Sequence, residues 1–251
     1  MRVAAYILFL VTVASCVLPS DKITVWLIGD STMCKYEASR APLAGWGMPF
    51  AGFFDPTVSV ENRARGGRST RTFLSENRWK VIEPKLKSGD YVLIQFGHND
   101  EAKEEKYKER HTPVPDYKSN LTKFINESKN RKAIPILITP VSRMRFKDGI
   151  AEETHTEYSK AVWEVGKREN VPVIDLDKMS RELYQGLGPA NTKYLFMQLD
   201  SMAHPNYPHG QKDNTHFSEY GARVIAQLVL QGIQKKVPDL YDRIVKPVMK
   251  K

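Results

Sequence analysis

The chain has 251 residues, 41% hydrophobic and 10% aromatic, with Gly and Pro present in ordinary numbers. That is enough for one sizeable core, and it excludes a disordered chain or a solenoid of repeats. The formal net charge of +9 points to polyanionic partners, yet no long run of like charge marks a nucleic-acid module.

The N-terminus stands apart. Arg2 precedes an uncharged apolar run, Val3 to Ser15. A short positive region, an apolar run and small residues read as a secretory signal over residues 1–20. The run falls short of the roughly twenty apolar residues that span a membrane. "VASC", Val13 to Cys16, is similar to a bacterial lipobox, in which Cys16 would carry a lipid anchor; cleavage near Ser15 or Ser20 is the alternative. The expectation is an exported chain, whether periplasmic, secreted or an outer-surface lipoprotein, with residues 21–251 as one domain. With Cys16 lipidated or removed, Cys34 has no disulfide partner and reads as a small buried hydrophobe.

Five short apolar, β-branched runs follow: Ile23–Gly29, Thr57–Asn62, Tyr91–Gly97, Ala133–Thr139 and Val171–Leu176. Most are continuous rather than alternating, as for strands covered on both faces of a parallel sheet. Helical patterns separate them. Residues 68–87 place Phe73, Leu74, Val81 and Leu86 on one face, and residues 116–130 place Tyr117, Leu121, Phe124 and Ile125. Residues 152–170 place Tyr158, Val162, Trp163 and Val165, and residues 218–236 close the chain with an apolar helix. Strand–helix alternation predicts a three-layer α/β/α sandwich, in which ligands bind beyond the carboxyl ends of the strands.

Chemistry-bearing residues stand at those ends. Gly29-Asp30-Ser31-Thr32 follows the first strand and reads as a turn, with residues suited to capping a helix. Gly66-Gly67 follows the second, and Gly97-His98-Asn99-Asp100 the third. "PVSRMRF" follows the fourth, and Asp213-x-x-His216 precedes the last helix. Acyl transfer needs each of these parts. A hydroxyl becomes a nucleophile when a base takes its proton, and imidazole exchanges protons near neutral pH, which suits Ser31 and His216. Asp213 reaches the other ring nitrogen if its segment turns. The Ser31 and Gly67 backbone N–H groups and the Asn99 amide supply oxyanion donors.

Other motifs are missing. The G-x-S-x-G elbow lacks its second glycine at Met33, and there is no G-x-G-x-x-G, P-loop or H-E-x-x-H. His204 and His209 read as loop histidines rather than metal ligands, and no metal is expected. Asp30 reads as a structural carboxylate, His98 as a ring packed beside the site, and Asp100–His111 as a solvated stretch of mixed charge. Trp46 is either core or a sugar-stacking surface. Asn120 and Asn126 head glycosylation sequons that matter only in a eukaryotic secretory route. Arg65, Arg68, Arg143 and Arg145 are candidates for binding substrate carboxylates, against solvated surface arginines.

In order, Gly29-Asp30-Ser31, Gly67, Gly97-His98-Asn99-Asp100 and Asp213-x-x-His216 resemble the four blocks of the GDSL/SGNH hydrolases. The surrounding "ENRARGGRSTRTF", "IQFGHNDEAK", "TPVSRMRF" and "HPNYPHGQKDNTHFSEYGA" resemble the rhamnogalacturonan acetylesterase branch, carbohydrate esterase family twelve. The resemblance spans about Ile23 to Lys236. It implies a flavodoxin-like five-stranded parallel sheet and a cofactor-free serine esterase removing O-acetyl groups from pectin. It makes Ser31 the nucleophile, His216 the base and Asp213 the orienting carboxylate, with Ser31, Gly67 and Asn99 at the oxyanion hole. Arg68, Arg143 and Arg145 are carried as substrate-binding residues, and the chain is expected to be a monomer acting on an acetylated acidic polysaccharide. Acetyl xylan esterase and broader GDSL esterase or lipase activity are the alternatives, with a non-catalytic carbohydrate-binding protein a further one.

Overall fold

A computed structural model describes residues 22–245. The proposed signal, the lipobox and Cys16 lie outside the described residues. The described residues form ten strands: Ile23–Gly29 (β1), Leu43–Ala44 (β2), Val58–Asn62 (β3), Tyr91–Gln95 (β4), Ile134–Ile138 (β5), Phe146–Lys147 (β6), Ile150–Ala151 (β7), Val173–Ile174 (β8), Phe196–Leu199 (β9) and Gln211–Ser218 (β10). Five of them make one parallel sheet in the order β3-β1-β4-β5-β8. The five apolar runs of the sequence supply these strands, although the last is cut to two residues because Leu176 already begins a helix.

Successive side chains of a strand face opposite ways, so each strand feeds two cores. Val25 and Leu27, Leu93, Ile136, Ile138 and Ile174 pack on one face under helices Leu176–Thr192 and Glu219–Lys236. Trp26 and Ile28, Val92 and Ile94, Leu137 and Val173 pack on the other under Thr70–Ser75, Val114–Asn130 and Thr156–Glu169. Helices therefore cover both faces, as the alternating pattern implied. A second sheet, antiparallel in the order β2-β10-β9, lies beside this core.

Three expectations are corrected. The helix over residues 68–87 is one short helix, Thr70–Ser75, followed by 3-10 turns at Trp79–Val81 and Glu83–Lys85. Asn77 takes a left-handed φ of 56° there, which a continuous helix cannot hold. Val81 is accordingly 61% exposed rather than buried. Trp163 is 41% exposed, on the solvent side of its helix, while Tyr158, Val162 and Val165 are buried. The sequence pattern also assigns no helix or strand between Leu176 and Ser218, where the helix Leu176–Thr192 and strands β9 and β10 stand. Pro189 and the left-handed Gly188 (φ 72°) kink that helix and obscure its periodicity.

Candidate active site

The strand order places β1 at the centre of the chain reversal, with β3 on one side and β4 on the other. Loops leaving neighbouring strands in opposite directions open a crevice there. Ser31 leaves β1 beside it. No helix follows: Asp30 to Cys34 form a turn, closed by the Cys34 N–H donating to the Asp30 carbonyl at 3.1 Å. Gly29 is required here, because a Cβ would stand 2.5 Å from the Gln95 carbonyl oxygen of the adjacent strand. Asp30 is buried beneath the turn. Its Oδ1 accepts from the Thr32 N–H (3.0 Å) and hydroxyl (2.8 Å), and Oδ2 accepts from His98 Nδ1 (3.2 Å). Burial works against this carboxylate, yet His98 and the Thr32 bonds hold its pKa below the ordinary range. Thr32 Oγ1 in turn accepts from Gln95 Nε2 (2.7 Å), whose Oε1 accepts from Trp46 Nε1 (2.6 Å). Trp46 is fully buried and belongs to the core.

His216 comes from the second sheet. Phe217, fully buried against Phe196 at 5.1 Å between ring centres, anchors β10. Lys212 pairs with Gln198 and Phe217 with Phe196, so β10 advances five residues while β9 advances two. The surplus forms a bulge containing Asp213, Asn214, Thr215 and His216, where the sequence reading expected a turn. Asp213 organises it. Oδ1 accepts the Thr215 and His216 N–H groups at 2.7 and 3.0 Å, and Oδ2 meets His216 Nδ1 at 2.7 Å. His216 Nε2 then stands 2.9 Å from Ser31 Oγ. Burial alone would raise the Asp213 pKa; the hydrogen bond and charge of His216 and the two backbone donors outweigh it and hold Asp213 at about 2.

The residues expected to supply the oxyanion donors line the same cleft as that hydroxyl. The Ser31 and Gly67 N–H groups have no acceptor among the described residues. Gly67 has φ 76°, a left-handed conformation that glycine adopts freely. The Asn99 amide donates one N–H to the Arg68 carbonyl (3.1 Å), and its oxygen accepts from Arg110 Nη1 (3.2 Å), which leaves a second amide hydrogen. Cys34 is 2% exposed, and burial raises its thiol pKa, as expected of a packed, unreactive side chain.

These groups open on a cleft of about 1150 Å³. Arg68 and Arg143 line it, but both are engaged: Arg68 with Glu76 and the Gly66 carbonyl, Arg143 with Glu101 and Thr215. Arg145 does not line the cleft; it makes a surface ion pair with Glu152 at 2.6 Å, which corrects its expected role. Of the lysines and arginines that line the cleft, Lys35, Arg40, Arg65, Lys103 and Arg110 have no ion-pair partner among the described residues. The Asp100–His111 stretch is solvated as expected, with Lys103 to Lys106, Lys108 and Glu109 exposed, and it also builds one wall of the cleft through Glu101, Lys103, Tyr107 and Arg110. His155, which nothing in its sequence spacing marked, is buried at the cleft with His98. Among the described residues no group of three His, Cys, Asp or Glu side chains could hold a metal ion.

Asp100 closes the same loop from below. It is fully buried; Oδ1 accepts the Thr70 N–H at 2.9 Å and hydroxyl at 2.5 Å, while Oδ2 has no partner. Burial pushes its pKa from 3.8 to about 7. The folded chain thus holds a proton that the unfolded chain releases, and stability falls as pH rises from about 4 to about 7. Asp100→Asn keeps the acceptor for Thr70 and removes this titration. Its melting temperature is expected to gain on the wild type between pH 4.5 and 7.5, a relative stabilisation of at most about 4 kcal/mol. An unchanged difference between the two pH values would contradict it.

The chain matches the GDSL-like lipase/acylhydrolase family over residues 27–224. The chain belongs to this family. Its relatives within the acylhydrolases include the rhamnogalacturonan acetylesterase RhgT of Bacillus subtilis, 42% identical over 225 residues, covering 89% of this chain and 94% of the relative. A probable rhamnogalacturonan acetylesterase of the same organism, YesY, is 33% identical over 88% of this chain and 97% of its own length. The crystal structure of the Bacillus subtilis protein YxiM superposes with a TM-score of 0.73 at 28% identity, covering 86% of this chain. The chain spans 57% of that solved structure. Ser31, Gly67, Asn99, Asp213 and His216 all fall inside the matched acylhydrolase segment.

Proposed function

We propose that the chain is a serine O-acetylesterase that deacetylates rhamnogalacturonan. The reaction is carried by one observation: the Ser31 hydroxyl lies 2.9 Å from an imidazole held by Asp213, beside two unpartnered backbone amides. The substrate is supported by the 42% identity to a rhamnogalacturonan acetylesterase across nearly the whole chain, and by unpaired cations in the cleft, which suit galacturonate carboxylates.

His216 takes the Ser31 proton as Oγ attacks the acetyl carbonyl, and Asp213 stabilises the imidazolium. The Ser31 and Gly67 amides and the Asn99 side chain receive the oxyanion. The sugar hydroxyl leaves with the proton from His216. Water, activated by the same ring, then attacks the acetyl-serine and releases acetate. Asn99→Ala is expected to lower kcat by about 10²- to 10³-fold with a small change in KM, because that donor serves the transition state rather than the bound ester. A drop confined to KM would remove Asn99 from this role.

Acetate release from acetylated rhamnogalacturonan, acetylated xylan and an aryl acetate tests the proposal. Preference for the first is expected; no release from any would sink it, and better turnover of octanoyl than acetyl esters would favour a lipase. The charged cleft wall of Glu101, Lys103, Glu104 and Arg110 argues for a polar substrate over an acyl chain. Export belongs to the same reading, supported by the leader-like composition of residues 1–20; mass spectrometry of the mature N-terminus distinguishes a lipid on Cys16 from simple cleavage.

A further inference from the structure

A second connection links the turn that carries Ser31 to the bulge that carries His216, separate from the hydrogen bond their side chains share. It begins at Asp30, whose Oδ2 accepts from His98 Nδ1. Burial and the neighbouring His155 push the His98 pKa down to about 4, against the pull of Asp30, so the ring is neutral at working pH. The His98 ring meets His155 edge-on, with centroids 4.2 Å apart. His155 Nδ1 donates to Glu101 Oε2 at 2.8 Å, and Glu101 Oε1 accepts from Arg143 Nη2 at 3.2 Å. Arg143 Nη1 then donates to the Thr215 hydroxyl. Thr215 stands between Asp213 and His216.

Arg143 is placed for this by its own backbone. The next residue, Met144, donates its N–H to the Asn214 carbonyl inside the bulge at 2.8 Å. The bulged residues are out of register with β9, so ladder hydrogen bonds do not hold them. Gln198 of β9 donates from Nε2 to Asn214 Oδ1; beyond that bond, their position rests on Asp213 from within and on the 143–144 segment from without. The Arg143 fork spans two protein acceptors, one of them the carboxylate of Glu101, whose other oxygen is taken by buried His155. A guanidinium so committed is poorly placed to release its partners for a substrate carboxylate.

We propose that Arg143, held by Glu101 and His155, is a positioning residue: it fixes Thr215 and thereby sets the reach of His216 to Ser31. The inference rests on the reading of Ser31 and His216 as nucleophile and base. Proton transfer demands a heavy-atom separation of about 2.6–3.2 Å, and a misplacement of about 1 Å costs on the order of 10²-fold.

The test is steady-state kinetics of Arg143→Ala, Thr215→Val, the double variant and Ser31→Ala, on an uncharged aryl acetate and on acetylated rhamnogalacturonan. Arg143→Ala is expected to lower kcat by about 10- to 100-fold on both substrates, with KM within about twofold. Thr215→Val keeps the side-chain shape and removes the acceptor, and should lower kcat by about threefold or more on both. The double variant should be no worse than Arg143→Ala, since both cut one connection. Added guanidinium should restore part of the Arg143→Ala rate. A Thr215→Val kcat within about twofold of wild type overturns the proposal, including where Arg143→Ala fails to fold. So does a loss confined to KM on the acidic polysaccharide, which would make Arg143 a substrate ligand. If Ser31→Ala hydrolyses the aryl acetate as fast as wild type, the reading of the site itself fails; if Ser31→Ala is inactive while the other variants are not, the positioning role alone fails.

Discussion

Ser31→Ala lowers kcat on an aryl acetate by about 10⁴-fold or more, with an unchanged melting temperature. The magnitude follows from the geometry. Oγ is the atom 2.9 Å from His216 Nε2, and no other hydroxyl among the described residues is hydrogen-bonded to that ring. The turn itself survives the substitution. It is held by the Asp30 carboxylate through Thr32 and His98, and by the Cys34 N–H to the Asp30 carbonyl, none of which uses the Ser31 side chain. Tyr36 donates to the Ser31 backbone carbonyl at 2.8 Å, which Ala retains. The amides of Ser31 and Gly67 also remain, so a small residual rate over water is expected from oxyanion stabilisation alone. Initial rates and a melting curve on the same preparation check both halves. Retention of more than a few per cent of activity in a folded variant would place the nucleophile elsewhere.

Asp213→Asn lowers kcat by about 10³- to 10⁴-fold, with KM nearly unchanged. Asp213 Oδ2 accepts the Nδ1 proton, which leaves the Nε2 lone pair facing Ser31. An Asn in the same place can turn its NH₂ to Nδ1, stabilising the tautomer with its proton on Nε2. That ring cannot receive the serine proton. Oδ1 survives as an acceptor for the Thr215 and His216 N–H groups, so the bulge keeps its shape and the loss falls on chemistry. The wild type gives a matching pH signature. The Asp213 pKa is held at about 2, below its ordinary value, so the attraction between carboxylate and ring is fully present above about pH 4 and is lost only as pH falls through about 2. Acid inactivation above pH 4 therefore does not come from protonating Asp213. Steady-state kinetics of the folded variant check the expected loss, and a loss confined to KM would contradict it.

Much of the scaffold was readable from the chain because its physics is local. A strand covered on both faces needs apolar side chains at successive positions, and that is how Ile23–Gly29 and Tyr91–Gly97 announce themselves. Helix Val114–Asn130 buries Tyr117, Leu121, Phe124 and Ile125 at the spacing the sequence displays. What escaped is what local pattern does not encode. The kink at Gly188 masks one helix, and the bulge of β10 depends on how two strands pair. Arg145 and Arg143 sit two residues apart with the same chemistry, yet one is a surface ion pair and the other an internal brace. His155 carried no signal, because its partner Glu101 lies 54 residues away.

By itself the sequence determined the layered α/β architecture, the strand ends that carry Ser31, Gly67, Asn99, Asp213 and His216, and their kinship with serine acylhydrolases. Those properties rest on residue type, order and short-range periodicity, which a linear chain displays directly. Only the tertiary structure decided that the base arrives on a bulged strand of a second sheet, that the mixed-charge stretch after Asn99 walls the cleft, and which arginines remain unpaired there. Each of these is set by distances between segments far apart in the chain. Such distances emerge once two hydrophobic faces have been buried against one sheet and the loops have nowhere else to stand.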